Sequence, residues 1–251
     1  MGTAACRAVA ATDDLQLVAA VDPGTVGRTV HEVAGVDGAA GEVVITDDLD
    51  ELSAAEVEVA IEFTGPATVG DHLVWLLQHG IHAVVGATGL REEDLRRART
   101  AAAAASVNAL IAPNFAIGAV LLMRFAVEAA EYLPHVEVVE LHHDRKVDAP
   151  SGTALRTAEL ISGARAAVPP DVAGDHDHPG ARGVRHADVR VHSIRLPGLV
   201  AHQEVIFGGE GQTLTLRHDS LDRTSFMPGV LLACRRVTEL DGVVVGLEHV
   251  L

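Results

Sequence analysis

The pattern of hydrophobic and polar positions divides the chain into two parts. In the first part, short runs rich in β-branched residues alternate with stretches that carry apolar residues at helical spacing. Strands separated by helices are typical of a parallel sheet built from right-handed crossovers. This part is therefore predicted to be an α/β, Rossmann-like, doubly wound parallel sheet. The predicted strands are 15–22, 57–63, 82–88 and 109–113, with a weaker candidate at 42–46, and the predicted helices are 68–80 and 91–106.

The pattern changes at residue 117. Helices are predicted at 117–133 and from about 151 to 164, with a strand at 136–143 and a loop at 169–183; three consecutive strand patterns follow at 187–196, 201–209 and 212–220. Consecutive strands favour an antiparallel or mixed sheet, so this part is predicted to be a smaller α+β domain. The helical pattern at 226–240 is expected to return to the first domain. The predicted domains are 1–116 together with 228–251, and 117–227.

Composition and charge narrow the class of protein. The 251 residues carry a formal net charge of −16. A phosphate-tracking surface needs clustered basic residues, which argues against nucleic acid or an anionic membrane as partner. No run of 18 apolar residues occurs, and the start lacks a signal-peptide pattern, so a soluble, cytoplasmic protein is predicted. Cys6 and Cys234 show no metal-binding spacing and are expected to be reduced thiols.

The stretch ELHHDRKVDAPSGT contains Lys146, the only lysine beside 18 arginines. An arginine does not release a proton near neutral pH, whereas a lysine can when its pKa is lowered. Because all the other basic positions of this kind are arginines, the lysine at position 146 indicates a proton donor.

Two histidines and a helix start surround this lysine. In a regular strand His142 and His143 would face opposite sides, so either one is structural or the strand ends there, and residues 144–146 favour a turn. Ser151 or Thr153 can cap the following helix, and its first amides, beside Gly152, suit a carboxylate or phosphate. A bound anion beside a proton donor, with a nucleotide in the other domain, indicates hydride transfer coupled to proton transfer.

Three strand ends in the first part carry small residues that suit a nucleotide. They are FTGP (63–66), Gly86-Ala87-Thr88-Gly89, and Ala112-Pro113-Asn114-Phe115, where the Phe115 ring is expected to pack on a flat ligand ring. Asp22 is either the acidic residue that binds the ribose or a turn residue before Pro23-Gly24. The first strand and most of the glycine-rich turn of a dinucleotide site are missing from this sequence.

Metal binding is not expected. The loop DHDHPG (175–180) alternates carboxylates and imidazoles, but its Gly and Pro neighbours favour an exposed loop. A metal-dependent hydrolase built on His142 and His143 is a weak alternative, because no carboxylate has the spacing to complete its site.

The motifs ELHHDRKVDAPSGTA, VVGATG, FTGP, APNFAIGAV and HQEVIFGGEGQTLTLRHDSLDRTSF together resemble the 4-hydroxy-tetrahydrodipicolinate (dihydrodipicolinate) reductase family. The resemblance runs over essentially the whole chain. It implies an NADH- or NADPH-dependent oxidoreductase of lysine and diaminopimelate biosynthesis that reduces (hydroxy-)dihydrodipicolinate to tetrahydrodipicolinate. It also implies a smaller domain that binds the dicarboxylate and forms a homotetramer through its sheet.

The resemblance also implies a role for each matching residue. His142 would donate and accept a proton and Lys146 would donate one, while His143 binds substrate and Gly152 with Thr153 holds a substrate carboxylate. The expected cofactor-binding residues are Asp22, Gly86, Ala87, Thr88, Ala112, Pro113, Asn114 and Phe115. Neither NADH nor NADPH is favoured, since Asp22 repels a 2′-phosphate and Arg28 could compensate.

The sequence departs from the family pattern in two places. Ala87 stands where the family usually has threonine, and Met1-Gly2 match only the end of the family's GxxGRMG turn. This departure implies either a start site placed too late or an N-terminally truncated copy. The chain as given is expected to bind cofactor poorly, whereas one extended upstream is expected to be active; equal turnover by the two would contradict this. The alternative function is a cofactor-deficient, non-catalytic tetramer that only binds the dicarboxylate.

Overall fold

The computed structural model describes residues 1–170, 178 and 180–251, and it divides into two compact units. The first unit is Met1–Phe115 with Phe226–Leu251, and the second is Ala116–Ser225. The observed boundaries, at 115/116 and 225/226, lie one and two residues before the predicted boundaries, at 116/117 and 227/228. The loop motif at 175–180 lies outside the described residues apart from His178 and Gly180.

The helices and strands follow one another along the chain without internal repetition. In chain order they are α1 (Gly2–Ala10), β1 (Ala20–Val21), α2 (Val30–Ala34), β2 (Ile45–Thr46), α3 (Asp50–Ala54), β3 (Val59–Glu62), α4 (Val69–Gln78), β4 (His82–Val85), α5 (Glu92–Ala105), β5 (Ala109–Ile111), α6 (Ile117–Ala130), β6 (His135–His142), α7 (Gly152–Ala164), β7 (Val184–His186), β8 (Val189–Arg195), β9 (Ala201–Gly209), β10 (Gln212–Ser220), α8 (Met227–Arg236) and β11 (Val243–Val245).

A four-stranded parallel sheet, in the order β11-β5-β4-β3, forms the centre of the first unit. Alternate residues of a strand face opposite sides, and Ala83 and Val85 of β4 face the cluster in which Leu73 of α4 and Ala98 of α5 are fully buried. Helix α8 contacts β3 and β4 outside that cluster, so helices cover both faces. This is the predicted doubly wound α/β arrangement.

Strands β1 and β2 form a separate parallel pair. The strand predicted at 15–22 is only two residues long in the structure. Within the described residues β1 pairs only with β2, and residues 15–19 have no neighbouring strand to pair with. Two short helices were not predicted. One of them, α2, is closed by a capping box in which Thr29 and Glu32 each accept from the other's backbone amide.

The second unit is a five-stranded mixed sheet with two helices on one face. The strand order is β10-β9-β6-β8-β7, and only β6 and β8 run parallel. Helices α6 and α7 contact this sheet. The side chains that fill the space between helices and sheet are fully or almost fully buried: Ala126, Val138, Ala158, Ile161, Val191, Val205 and Phe207. This is the predicted α+β architecture, and β7 is an edge strand that the sequence pattern did not predict.

The register of this sheet places polar residues in one row beside the apolar core. Glu140 of β6 pairs with Ser193 of β8 and Gln203 of β9, and Gln203 pairs with His218 of β10. Cross-strand partners share a face, so this row lies on the same side as Val138, two residues earlier. The next row on that face contains His142 and Arg195. The sheet thus brings a carboxylate, an imidazole and a guanidinium together at its helix-covered side.

None of the helices in the described part of the chain is both long and apolar enough to cross a bilayer. Both cysteines are free thiols, and burial raises the pKa of Cys234 to about 12, so it stays protonated at neutral pH.

Candidate active site

The carboxylate of Glu140 lies at the centre of the candidate site in the second unit. Its side chain has no exposed surface. It accepts hydrogen bonds from His142 Nδ1 at 2.5 Å, from the two terminal nitrogens of Arg195 at 2.9 and 2.8 Å, and from the Ser151 amide at 3.3 Å. A buried charge is tolerated when it is paired and fully hydrogen-bonded. Glu140 meets both conditions.

These contacts keep Glu140 ionised. Burial by itself raises the pKa of Glu140, but hydrogen bonds from His142, Arg195 and Ser193 outweigh it and lower the pKa to about 2 from 4.5. Because the folded pKa is depressed, the ionised carboxylate stabilises the fold fully above pH 4.5. That stabilisation is lost as the pH falls towards the folded pKa.

Strand β6 ends at His142, and a turn follows in which the Lys146 amide donates to the His143 carbonyl at 3.1 Å. The interpretation that the strand ends and the chain turns is therefore confirmed. The Nδ1 atom of His143 is buried and has no hydrogen-bond partner in the part of the chain that the structure describes. An unpaired buried polar atom is uncommon in a folded protein.

The ammonium group of Lys146 contacts both oxygens of Asp148 at 2.8 Å. The hydrogen bond from Lys146 lowers the pKa of Asp148 below its usual range. The carbonyl of Asp148 in turn accepts from Arg195 at 2.7 Å. The loop that carries Lys146 is thus fastened to the same guanidinium that binds Glu140.

Helix α7 begins beside this cluster. Ser151 is its N-cap, and the hydroxyl accepts from the Ala154 amide at 3.3 Å. A Cβ at Gly152 would meet nothing within 4 Å, so the space in front of the first turn is open. Thr153 lies in that first turn. The structure thus brings His142 and the start of α7 to Glu140, while Lys146 is held by Asp148.

In the first unit, the loops after β3, β4 and β5 lie close together at the carboxyl end of the sheet. The rings of Phe63 and Phe115 meet edge to face with centroids 5.9 Å apart. A Cβ at Gly86 would overlap the Phe63 ring and lie 2.9 Å from the Phe115 ring. Gly89, at φ +104°, lies similarly against Pro66. The glycines of this motif are needed for packing between the loops.

The other predicted cofactor-binding residues of this sheet edge differ in exposure. Ala112 and Phe115 are buried, whereas Thr88 and Pro113 are exposed and Asn114 is half-buried. The Phe115 ring packs edge to face on Phe63, which follows β3, the strand on the other side of β4.

Ala87, where the family usually has a hydroxyl, packs against the apolar cluster under α4 and α5. Asp22 is exposed at the end of β1, and one of its carboxylate oxygens accepts from the Gly24 amide at 2.8 Å, as the turn interpretation implies. The Arg28 guanidinium donates to the Glu32 carbonyl at 3.0 Å.

No group of three or more His, Cys, Asp or Glu side chains suited to a metal ion occurs among residues 1–170, 178 and 180–251.

The sequence analysis missed Glu140, Arg195 and Asp148. Glu140 precedes His142 by two residues, and that spacing on a strand places both on one face, so a local pattern could have revealed it. Asp148 follows Lys146 at the same spacing. Arg195 is 55 residues from Glu140 and reaches it only through the parallel pairing of β6 with β8. No local pattern indicates that contact.

The fold is also found in solved structures of dehydrogenases that are under 25% identical in sequence. An amine dehydrogenase from Mycobacterium smegmatis, only 15% identical, superposes with a TM-score of 0.60 over 96% of this chain and 91% of its own. The sequence itself matches two family models, "Dihydrodipicolinate reductase, N-terminus" over residues 1–115 and "Dihydrodipicolinate reductase, C-terminus" over residues 118–251. The chain belongs to the dihydrodipicolinate reductase family.

Similar proteins support this assignment. A 4-hydroxy-tetrahydrodipicolinate reductase of Mycolicibacterium vanbaalenii is 53% identical over 91% of this chain and 95% of its own. A protein of the same name from Halalkalibacterium halodurans is 46% identical over 100% and 95%. The dipicolinate-bound dihydrodipicolinate reductase of Paenisporosarcina sp. TG-14 is 40% identical, with a TM-score of 0.87 over 100% and 95%.

The packing at Gly86 yields a prediction about stability. Gly86→Ala is expected to destabilise the protein by about 1–3 kcal/mol, because the added methyl overlaps the Phe63 ring in a closely packed loop cluster. In a Phe63→Ala background the same change is expected to cost less than half as much. Urea unfolding of the four proteins measures this coupling.

Gly65→Ala is the matched control in the neighbouring loop, because a Cβ at Gly65 would meet nothing within 4 Å. Equal losses of stability for Gly65→Ala and Gly86→Ala would contradict the packing account.

Proposed function

We propose that this chain catalyses the NADH- or NADPH-dependent reduction of (hydroxy-)dihydrodipicolinate to tetrahydrodipicolinate, in lysine and diaminopimelate biosynthesis. Family membership supports the reaction class, and the relative that binds dipicolinate supports a ring dicarboxylate as substrate. The observation that carries the proposal is the cluster in the second unit. There an imidazole and the N-cap amide of a helix bind one buried carboxylate, and a lysine on the loop between them pairs with Asp148.

The helix start provides for the anionic part of the substrate. Amide hydrogens of the first turn point out of a helix, and its dipole favours negative charge there. Gly152 leaves room for a carboxylate to approach the backbone. In this proposal Gly152 and Thr153 hold one substrate carboxylate, and the unpartnered Nδ1 of His143 donates a further hydrogen bond.

In this proposal His142 and Lys146 carry out the proton transfer. Glu140 occupies Nδ1 of His142, so Nε2 is the ring atom that exchanges a proton with the substrate. Lys146 releases one proton from its ammonium group, which Asp148 holds in place until substrate binds. Reduction adds one hydride and one proton to the ring, so His142 and Lys146 together supply one net proton per turnover.

The first unit suits a nicotinamide dinucleotide. Dinucleotides bind at the carboxyl ends of parallel strands, where small residues let a ligand approach the backbone. Here β3, β4 and β5 end in glycine- and alanine-containing loops, and a Cβ at Gly65 would meet open space. Backbone groups at 86–88 and 112–115, with the Asp22 carboxylate, would hold the cofactor. When bound, it supplies the hydride.

The proposal predicts that Lys146→Arg lowers kcat by about 10²- to 10⁴-fold, because a guanidinium keeps the positive charge but does not donate a proton near neutral pH. KM is expected to change much less, since the charge that attracts the dicarboxylate is retained. Steady-state kinetics that follow cofactor absorbance measure both values.

Arg145→Lys is the matched control, because it makes the reverse exchange one residue earlier on an exposed side chain. It is expected to leave kcat within about threefold of the unsubstituted protein. An unsubstituted protein that fails to reduce dihydrodipicolinate, or a Lys146→Arg variant with undiminished kcat, contradicts the proposed function.

We also propose that the second unit assembles copies of the chain into a homotetramer. Among the described residues, no helix covers the sheet face opposite α6 and α7, and that face presents the apolar side chains of Val139, Leu141, Ile194 and Ile206. Burying such a face against another copy removes apolar surface from water. Sedimentation equilibrium is expected to give four times the chain mass of 26.2 kDa, and a mass of one chain contradicts the assembly.

A further inference from the structure

We propose that Glu140 and Arg195 are positioning residues that hold His142 in a single tautomer and fix the Lys146 loop beside it. The inference deepens the proposed reductase function and rests on it. Neither side chain is assigned a contact with substrate or cofactor. Their effect passes through the imidazole and the loop that they bind.

The tautomer follows from the chemistry of the partner. An ionised carboxylate only accepts hydrogen bonds, so the Nδ1 atom that faces Glu140 Oε2 at 2.5 Å must carry hydrogen. In the neutral ring Nε2 is then the proton acceptor, and in the charged ring it is the donor. A carboxylate that orients an imidazole in this way leaves one defined atom for proton exchange.

Arg195 keeps this arrangement in place. Its two terminal nitrogens bind the two oxygens of Glu140 at 2.9 and 2.8 Å, which leaves the carboxylate no freedom to rotate away from His142. One of these nitrogens also donates to the Asp148 carbonyl at 2.7 Å. Since Asp148 holds Lys146, one guanidinium positions both proposed proton-transfer groups.

The charged and titratable groups around the pair come from several elements. On the same sheet face, β8 contributes Arg195, β10 contributes His218, and the loop after β6 contributes Lys146 and Asp148. The residues that face the pair from β9 and from the start of α7 are Gln203 and Ser151, which are uncharged. Glu140 is thus the carboxylate that contacts the His142 ring directly.

The same strand offers a matched control. Glu137 lies on β6 three residues before Glu140, so it faces the opposite side of the sheet. It too pairs with one arginine and one histidine, Arg182 and His192. Glu137→Gln therefore removes the same charge from the same strand, with the same types of partner, away from His142.

The experiment measures the His142 tautomer by ¹⁵N NMR of the ligand-free protein, with the signal assigned by its loss in His142→Asn. The unsubstituted protein is expected to show hydrogen on Nδ1. Glu140→Gln is expected to shift the ring towards a mixture of tautomers, because an amide can donate as well as accept. Glu137→Gln is expected to keep the original tautomer.

Kinetics provide the second readout. Glu140→Gln is expected to lower kcat by about 10- to 100-fold with KM within about threefold, since proton transfer is impaired while substrate contacts remain. Because Glu137 lies on the sheet face that is proposed to assemble the copies, Glu137→Gln is compared at a concentration where sedimentation equilibrium gives it the mass of the unsubstituted protein. It is then expected to match that protein in both respects.

Three results would overturn the inference: hydrogen on Nε2 in the neutral ring of the unsubstituted protein, an unchanged tautomer and kcat in Glu140→Gln, or equal effects of Glu137→Gln and Glu140→Gln. The tautomer in the unsubstituted protein decides the question even where Glu140→Gln does not fold. Because the NMR measurement uses no substrate, it can fail while reduction of dihydrodipicolinate is observed, and the reverse also holds.

Discussion

The candidate site depends on one buried ion pair, that of Glu140 with Arg195. Taking a carboxylate out of water is expensive, and removing one partner of a buried pair typically costs about 3–5 kcal/mol, because the other charge is left unpaired. Here the carboxylate has no exposed surface and four donors within 3.3 Å. The pair therefore constrains everything that it touches: the end of β6, the loop to Asp148, and the N-cap of α7.

That constraint explains how a short polar segment becomes an ordered site. Residues 143–151 form no helix or strand, and a loop of this kind lacks the ladder of backbone hydrogen bonds that orders a strand. Arg195 and Glu140 supply substitutes, one through the Asp148 carbonyl and one through the Ser151 amide. His143 and Lys146 thus lie on a loop whose two ends are held by a buried charge pair, and the Lys146 side chain keeps 23% of its surface exposed.

The sequence predicted the elements that repeat a strong pattern. The helices at 117–133 and 91–106 and the strand at 136–143 appear as α6, α5 and β6 within three residues at each end, because their apolar positions recur at one period. Short elements were not predicted, because the five residues of α2 and the three residues of β11 are too few to show a hydrophobic period. The Thr29–Glu32 capping box is a local sequence signal for the start of α2, but a prediction based on the hydrophobic pattern alone does not include it.

The same distinction holds for the site residues: those that are close in sequence were predicted, and one that depends on strand pairing was not. His142, His143 and Lys146 are close in sequence, so their type and spacing predicted that they act together. Gly86 packs closely against two phenylalanine rings, one from each neighbouring strand end, a contact that its local sequence did not indicate. Arg195 was missed altogether, because only the pairing of β6 with β8 brings it to Glu140. Contacts between distant strands are set by register, which a local pattern does not determine.

The most direct test of this account is a titration of the Glu140 side-chain carboxyl by ¹³C NMR, assigned with Glu140→Gln. The account predicts a pKa of about 2, because hydrogen bonds from His142 and Arg195 outweigh the effect of burial. A titration midpoint at 4.5 or above would show that the buried carboxyl takes up a proton as easily as a free one. In that case it could not act as the ionised partner that orients His142.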